Sequence, residues 1–594
     1  MKIKLSDYVA EKAVSLGIKQ VFMVTGGGAM HLNQSLGNHR QLNVMFNHHE
    51  QACAMAAEGY ARLSNQPALV NVTTGPGSTN TLTGVHGAWT DSIPMVIISG
   101  QVKTSTVTRI QHPKLRQLGD QEIDVCSVVN PICKYAHMVT DPSSIRYHLE
   151  KAYYLSTHLR YGPTWLDIPI DVQSAPIDPT ALKAYEPPPS RSYPLAKYAE
   201  TIVKSLQSSK RPVVLLGSGV RLSGTVEACR RLLTEWQIPV VTGWNAHDSV
   251  PTTDPFFVGK PGTVGDRSGN FAVQNADLLI VLGCRLNIRQ IGYNWNAFAK
   301  RARLIMVDID GEELTKPTLK VDVPIEADLR ELVPLLLTYK TAPQKTHTEW
   351  LKWCKDRQER YPVVLQEYGE STKVNPYFFM KNLFDAAAEN QVFITANGTA
   401  CVVGFQASVI KRETRIWTNS GCASMGYALP AAIGACLANK SAQTICITGD
   451  GSIMMNLQEL QTIVGNQLPI KIFILNNLGY ASIYQTHRNF FGGKEIGASP
   501  KSGVNFPNFE ALMEGFGIPY IKLGSTERIK QTITHVFNHR GPMVCEVMLD
   551  PDQAFAPKVM SKQLPDGTIV SAELDDMAPF LSATELMENR LDDS

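Results

Sequence analysis

Two short loops carry residue types that suit a cation bound together with a phosphorylated ligand. The first, Gly449-Asp450-Gly451-Ser452, follows the apolar run ICIT and precedes the helical stretch MMNLQELQTIV. The second, Asn476-Asn477-Leu478-Gly479-Tyr480, ends the apolar run IKIFIL about one strand–helix unit later. A hard cation such as Mg²⁺ takes oxygen ligands in octahedral geometry and shares them with phosphates. Asp450 offers a carboxylate, Asn477 an amide oxygen and Gly479 a backbone carbonyl. Gly449 and Gly451 let backbone amides approach a phosphate, and a helix start favours negative charge. Either loop alone reads as an ordinary turn. As a pair they sit at the carboxyl ends of parallel strands, where doubly wound sheets hold ligands. Far upstream, Phe46-Asn47-His48-His49-Glu50-Gln51 opens an Ala-rich helical stretch, ACAMAAEGYAR. Glu50 there offers a carboxyl for proton transfer. Asn47 with Glu50, and Asn456 with Glu459, also have capping-box spacing; the second pair reads as structural, and Glu58 as a surface residue of its helix.

The elements that must position these loops read as α/β. Short apolar strands alternate with helical stretches, which predicts three domains with doubly wound parallel sheets. The blocks run over 1–180, 190–340 and 370–555, with a tail at 556–594 that ends in acidic residues. Pro187-Pro188-Pro189 separates the first two, and a helical connector with Trp350 and Trp353 the next. The first and third blocks each send a strand into a Gly-rich loop and could share one fold. Hydrophobic residues are 44% and charged residues 19% of 594, which fits a large globular protein. A net charge of +2 with no basic stripe argues against a nucleic-acid partner. Runs such as VVLL (213–216) and LLIVL (278–282) are too short to span a bilayer, and the N-terminus reads as an amphipathic helix rather than a signal peptide, so no membrane partner is expected. Eleven Cys without a CxxC pair fit reduced thiols in the cytoplasm. No GxGxxG follows a strand, which argues against a nicotinamide dehydrogenase.

The Gly-Asp-Gly and Asn-Asn pair is the signature of thiamine-diphosphate enzymes, and the chain resembles the acetolactate synthase family over nearly its whole length. His49-Glu50-Gln51-Ala52-Cys53 matches that family's His-Glu-Gln-x-Ala closely. The resemblance implies that thiamine diphosphate and Mg²⁺ are the cofactors, with Asp450, Asn477 and Gly479 on the metal. It implies that Glu50 is catalytic: a buried carboxyl of raised pKa on the cofactor's pyrimidine, reaching a neighbouring subunit's site. The active unit would be a homo-oligomer, a dimer at least and commonly a tetramer. Thr25-Gly26-Gly27-Gly28, Thr73 to Asn80 and Gly421 to Gly426 resemble the family's cofactor loops. They nominate Gly27, Gly28, Gly75, Pro76, Asn80, Ser424 and Met425, the last as the wedge that bends the cofactor. Gln121, Thr399, Gly449, Gly451, Ser452 and Tyr480 complete that set, and Gln121-Glu122 resembles a pair near the substrate. The middle block resembles a domain that binds FAD, with Gly262, Thr263, Arg285 and Asn287 as candidate contacts, although the family's acidic run after the arginine is replaced by Leu286 to Gln290.

The sequence departs from the synthase pattern where substrates would lie. Ile170 replaces a lysine, Asp120 a phenylalanine, Thr399-Ala400 a Gln-His pair, and Thr486 a tryptophan. The implied substrate pocket is lined by Gly28, His86, Asp120, Gln121, Ile170, Ile483, Thr486 and His487. Removing a tryptophan opens a wall, and Asp120 adds an acceptor suited to hydroxyls. The expected reaction is decarboxylation of a 2-keto acid such as pyruvate. Its acyl group would then pass to a carbonyl acceptor such as a nucleotide-linked ketosugar. A true acetolactate synthase and a simple decarboxylase are alternatives. A non-catalytic cofactor-binding relative would have lost Glu50 or Asp450. His31, His86 and His487 are candidate proton handlers, and Trp89 is a pocket wall or core residue.

Overall fold

The computed structural model describes residues 2–440, 442–563 and 566–591; Asp592 and Asp593, the acidic end of the tail, lie outside them. Three six-stranded sheets form, with every neighbouring pair of strands parallel. The first uses β1 (Gln20–Met23), β2 (Asn43–Phe46), β3 (Ala68–Val72), β4 (Met95–Gln101), β5 (Tyr135–Met138) and β6 (Pro163–Pro169). Its order is β2-β1-β3-β4-β6-β5. The second uses β7 (Pro212–Leu216), β8 (Val240–Thr242), β9 (Phe257–Gly259), β10 (Leu278–Leu282), β11 (Arg303–Asp308) and β12 (Val323–Glu326), in the order β9-β8-β7-β10-β11-β12. The third uses β13 (Val392–Thr395), β14 (Arg415–Trp417), β15 (Thr444–Gly449), β16 (Ile470–Asn476), β17 (Tyr520–Leu523) and β18 (Met543–Met548), in the order β14-β13-β15-β16-β18-β17.

The first and third sheets therefore share one strand order, as their similar strand-to-loop patterns suggested. Strands such as β10 and β16 are buried along their whole length. That is why they read as continuous apolar runs rather than alternating ones. In each sheet the chain reverses its direction of winding between two neighbouring strands, and the crevice at that point is the natural ligand site. The loops that meet there are 24–28 with 73–76, 217–219 with 283–285, and 396–399 with 449–452.

The first and third domains join through helices Glu50–Ser64 and Ala428–Ala438. Both are rich in Ala, and their backbones touch. A Cβ on Gly59 would collide with the Ala431 carbonyl, and one on Gly434 with the Ala56 carbonyl. The same contact overturns one expectation. Glu58 is fully buried rather than on the surface, because its face of the helix meets the junction of all three domains. Its carboxylate receives Arg62 Nη2 at 2.6 Å, and Arg62 reaches Asp91 at 2.6 Å. Asp91 also accepts from Asn245 of the second domain and from the Gly421 amide of the third. Burial pushes the Glu58 carboxyl up, and the adjacent Arg62 opposes that shift.

The tail returns to the second domain. Asn270 Nδ2 donates to the Leu574 carbonyl at 2.8 Å, and the Val559 amide donates to Thr263 O at 2.8 Å. Removing one partner of a buried ion pair strands the other, at a cost of about 3–5 kcal/mol. Glu58→Ala is therefore expected to lose about that much stability, read as a lower denaturant midpoint, while an exposed control such as Glu349→Ala stays within about 0.5 kcal/mol of the parent.

Candidate active site

Asp450 ties the Gly-Asp-Gly and Asn-Asn loops together. It is 2% exposed and accepts three backbone amides: Gly451 at 2.7 Å, Asn477 at 3.1 Å and Gly479 at 3.0 Å. Burial pushes its carboxyl up to about 6, while those amides pull it back. Asn477 Nδ2 donates to Thr399 Oγ1 at 3.3 Å, which leaves Oδ1 for a cation. Gly479 turns with φ +146°, and the Tyr480 ring lies so close over Gly451 that a Cβ there would strike it. Gly449 is open around its Cα. Among the described residues no group of three or more His, Cys, Asp or Glu could hold a metal. One carboxylate, one amide oxygen and one carbonyl instead fit Mg²⁺ that arrives with a diphosphate and completes its shell from it. The helix expected after Asp450 is interrupted. Asp450–Ile453 forms one turn, and the next helix begins only at Glu459. Ser452 Oγ accepts the Gly426 amide at 2.9 Å and Asn419 Nδ2 donates to Ser424 Oγ at 2.6 Å, which fixes half-buried Met425 beside this loop.

Glu50 is the first residue of its helix, and His49 rather than Asn47 caps it, through Nδ1 accepting the Gln51 amide at 3.2 Å. In the single chain Glu50 is half-buried rather than enclosed. Asn80 Nδ2 donates to its Oε2 at 2.9 Å, and a Cβ on Gly77 would lie 3.6 Å from its Oε1. Gly75 (φ +62°) packs under the Gln121 carbonyl so closely that no Cβ fits. Pro76 is exposed at the same turn. Gly28 donates to Thr73 Oγ1 at 3.0 Å, and Gln173 Nε2 donates to the Gly28 carbonyl at 2.8 Å; Gly27 beside it is exposed.

Both capping-box readings give way to a bridge between domains. Fully buried Glu459 accepts from Asn47 Nδ2 at 2.8 Å, from the His48 amide at 2.9 Å and from Thr462 Oγ1 at 2.7 Å. Asn456 Nδ2 donates to Gln51 Oε1 and to the Gly426 carbonyl, both at 2.9 Å. The segment that follows the Gly-Asp-Gly loop thus holds residues on both sides of Glu50. Its partners lie more than 400 positions away, so no periodicity could point to it.

The remaining nominated residues separate. Asp120 and Gln121 are exposed, with Gln121 at φ +61°, while Glu122 turns inward and clamps its own loop. Burial opposes that carboxylate, but donors from Thr108, Gly119 and Leu118 hold it below its ordinary range. Ile170 is half-buried at the start of a short turn, and Ile483 and Thr486 are exposed on helix Ala481–Phe490. The Thr486 hydroxyl donates to Ser482 O at 3.0 Å. His31 is half-buried and His86 exposed. His487 has a buried Nδ1 with no hydrogen-bond partner among the described residues and lies edge-on to Phe491. Trp89 is 37% exposed and so is not core.

A separate cleft opens at the carboxyl ends of β7, β10, β11 and β12, with room of about 120 Å³. Arg285 and Asn287 line it together with Asp91, Arg160 and Asp308. Burial pushes Asp308 up to about 6. Gly262 and Thr263 do not line it. Asn270 holds Gly262, and Thr263 is spanned by the Arg289 carbonyl and the tail amide of Val559.

Comparison with known proteins agrees with this arrangement. Residues 3–128 match the N-terminal TPP binding domain of thiamine pyrophosphate enzymes, 199–336 their central domain, and 396–547 their C-terminal TPP binding domain. The chain is 30% identical to acetolactate synthase isozyme 1 large subunit of Escherichia coli, over 93% of this chain and 95% of that protein. It is 30% identical to a probable acetolactate synthase large subunit of Methanocaldococcus jannaschii, over 93% of each. It is 28% identical to the acetolactate synthase large subunit of Lactococcus lactis, over 94% and 96%.

Misplacing a proton-transfer group by about 1 Å costs on the order of 10²-fold in rate. Glu459→Ala is expected to lower kcat by about that factor, approaching the loss in Glu50→Gln, while the concentration of thiamine diphosphate giving half-maximal rate moves less than about threefold. A rise in that concentration with unchanged kcat would instead make Glu459 a support of the phosphate loop alone.

Proposed function

This chain belongs to the acetolactate synthase-like thiamine pyrophosphate enzymes, and on that premise we propose that it decarboxylates a 2-keto acid, pyruvate, and joins the acyl fragment to the carbonyl of a polyhydroxylated ketosugar. Thiamine diphosphate, when bound, supplies the electron sink for the carbanion equivalent. Asp450, Asn477 Oδ1 and the Gly479 carbonyl would hold Mg²⁺ and with it the diphosphate. Glu50 holds and shares the proton at the pyrimidine. Asn80 occupies its Oε2, and its Oε1 lies beside Gly77. The observation that carries this reading is the Asp450 carboxylate locking both phosphate loops, with Asn477 Oδ1 left for the cation.

The acceptor reading rests on Asp120, Ile483 and Thr486 each being exposed, with no bulky ring at position 120 or 486. Thr486 and Asp120 offer hydroxyl-compatible groups where a bulky ring would exclude a sugar. The names of the relatives favour a second reading, acetolactate formation, and one experiment separates the two. Isotopically labelled pyruvate with thiamine diphosphate, Mg²⁺ and a panel of ketosugars is expected to give labelled acetyl groups on a sugar by mass spectrometry. Acetolactate as the sole product would remove the sugar from the reading.

The active unit in this proposal is a homo-oligomer, a dimer at least, in which Glu50 serves a neighbouring subunit. Met30 and Phe46, 51% and 53% exposed beside Gly27, support an open face there. Eleven free cysteines support a reducing, cytoplasmic setting. Among the described residues no helix is long and apolar enough to cross a membrane. We assign FAD, in a structural role, to the central cleft at Arg285 and Asn287. Its room of about 120 Å³ is below the roughly 300–1,000 Å³ of ordinary ligand pockets, so uptake requires the cleft to widen. Purified protein is expected to absorb near about 450 nm, as bound flavins do, and Arg285→Ala to lose that band. Colourless protein that still consumes pyruvate would delete the flavin.

A further inference from the structure

The loop KTSTVTRIQHPKLR, residues 103–116, holds Lys103, Arg109, His112, Lys114 and Arg116 and no Asp or Glu, in a chain whose net charge is only +2. All five side chains are exposed. Arg109 pairs with Asp124 at 3.1 Å. Lys103, Lys114 and Arg116 make no ion pair among the described residues. Holding like charges together on one loop is unfavourable until an anion joins them.

The root of the loop is fixed to the Glu50 site. Glu122 accepts from the Thr108 amide and hydroxyl, and from the Leu118 and Gly119 amides at 3.2 and 3.1 Å. Gln121, its neighbour, lies over Gly75, two residues before the Gly77 that borders Glu50. Beyond the clamp, Gln101 Nε2 holds the Ile123 carbonyl at 2.9 Å and the buried Asp167 at 3.0 Å. The free cations therefore stand on a loop that runs into Gln121, which packs on Gly75 close to Glu50. Ile110, Leu115 and Leu118, 44–46% exposed, place apolar faces among them. Cations interleaved with apolar faces fit an organic phosphate better than a bare inorganic one.

We propose that Lys103, Lys114 and Arg116 bind the diphosphate of the acceptor, which makes that acceptor a nucleoside-diphosphate-linked carbonyl compound rather than a free sugar. This rests on the carboligase reading above and narrows it to a charged substrate class. The lysines act as point charges and Arg116 as a fork to phosphate oxygens. Exposed cations give binding that weakens with salt.

The test titrates CDP, UDP, dTDP, GDP and ADP into the protein loaded with thiamine diphosphate and Mg²⁺, by calorimetry at two ionic strengths. At least one is expected to bind, more weakly at higher salt, and about tenfold or more weakly to the Lys114→Gln/Arg116→Gln double variant. The charge-keeping Lys114→Arg/Arg116→Lys variant should recover most of the affinity, and thermal melts confirm that both fold. Binding of none of the five, or undiminished binding by the neutral variant, overturns the proposal. So does affinity lost in Arg285→Ala but kept in the loop variants, which places the nucleotide in the central cleft. Pyruvate consumption by the parent protein is measured alongside. Its absence sinks the carboligase reading itself, whereas pyruvate consumption without loop-dependent nucleotide binding sinks only the loop.

Discussion

The close approach of helices Glu50–Ser64 and Ala428–Ala438 governs where everything else in this chain can stand. Without side chains at Gly59 and Gly434, backbone meets backbone, and neither helix can shift without a collision. Glu50 is the first residue of one helix, and the segment 421–426 runs into the other. The placement of Glu50 relative to the segment 421–426 of the same chain is thereby set by packing density, which tolerates little adjustment. The buried Glu58, Arg62 and Asp91 next to this contact add direction. Their ion pairs lie within the first domain, and Asp91 takes further donors from the second domain through Asn245 and from the third through the Gly421 amide.

Glu459 and Asn456 extend that constraint from packing to hydrogen bonding. The helix is interrupted at 454–458, where three-residue turns such as Met455 N to Ser452 O replace it, and the side chains of Asn456 and Glu459 grip Asn47, His48 and Gln51. Buried polar groups of this kind are favourable only when fully partnered. Their arrangement therefore specifies one register of the Glu50 helix rather than adding general stability.

The parts of the site that are local in sequence were legible in sequence. Asp450 and Asn477 stand at strand ends marked by uninterrupted apolar runs, and the α/β class follows from the same runs, because parallel strands are buried on both faces. What could not be read depends on partners far along the chain. Glu58 looked like a surface residue of its helix, but the packing of that helix at the domain junction buries it beside Arg62 and Asp91. Glu459 looked like a cap because its spacing from Asn456 is right, yet its partners lie 411 and 412 positions away. Gly262 and Thr263 looked available for a dinucleotide, but Asn270 and the tail already occupy their backbone groups.

The return of the tail to the second domain has a consequence for how the chain is made. Asn270 completes its bonds with Leu574, and Asn275 with Asn589, across 304 and 314 positions. During synthesis, domains tend to fold as they emerge, the N-terminal one first. The middle domain emerges before the third, yet Asn270 and Asn275 gain these partners only once residues 574 and 589 have been made. It therefore stays partly uncovered at these positions while the third domain is made, and the order of completion is not the order of translation.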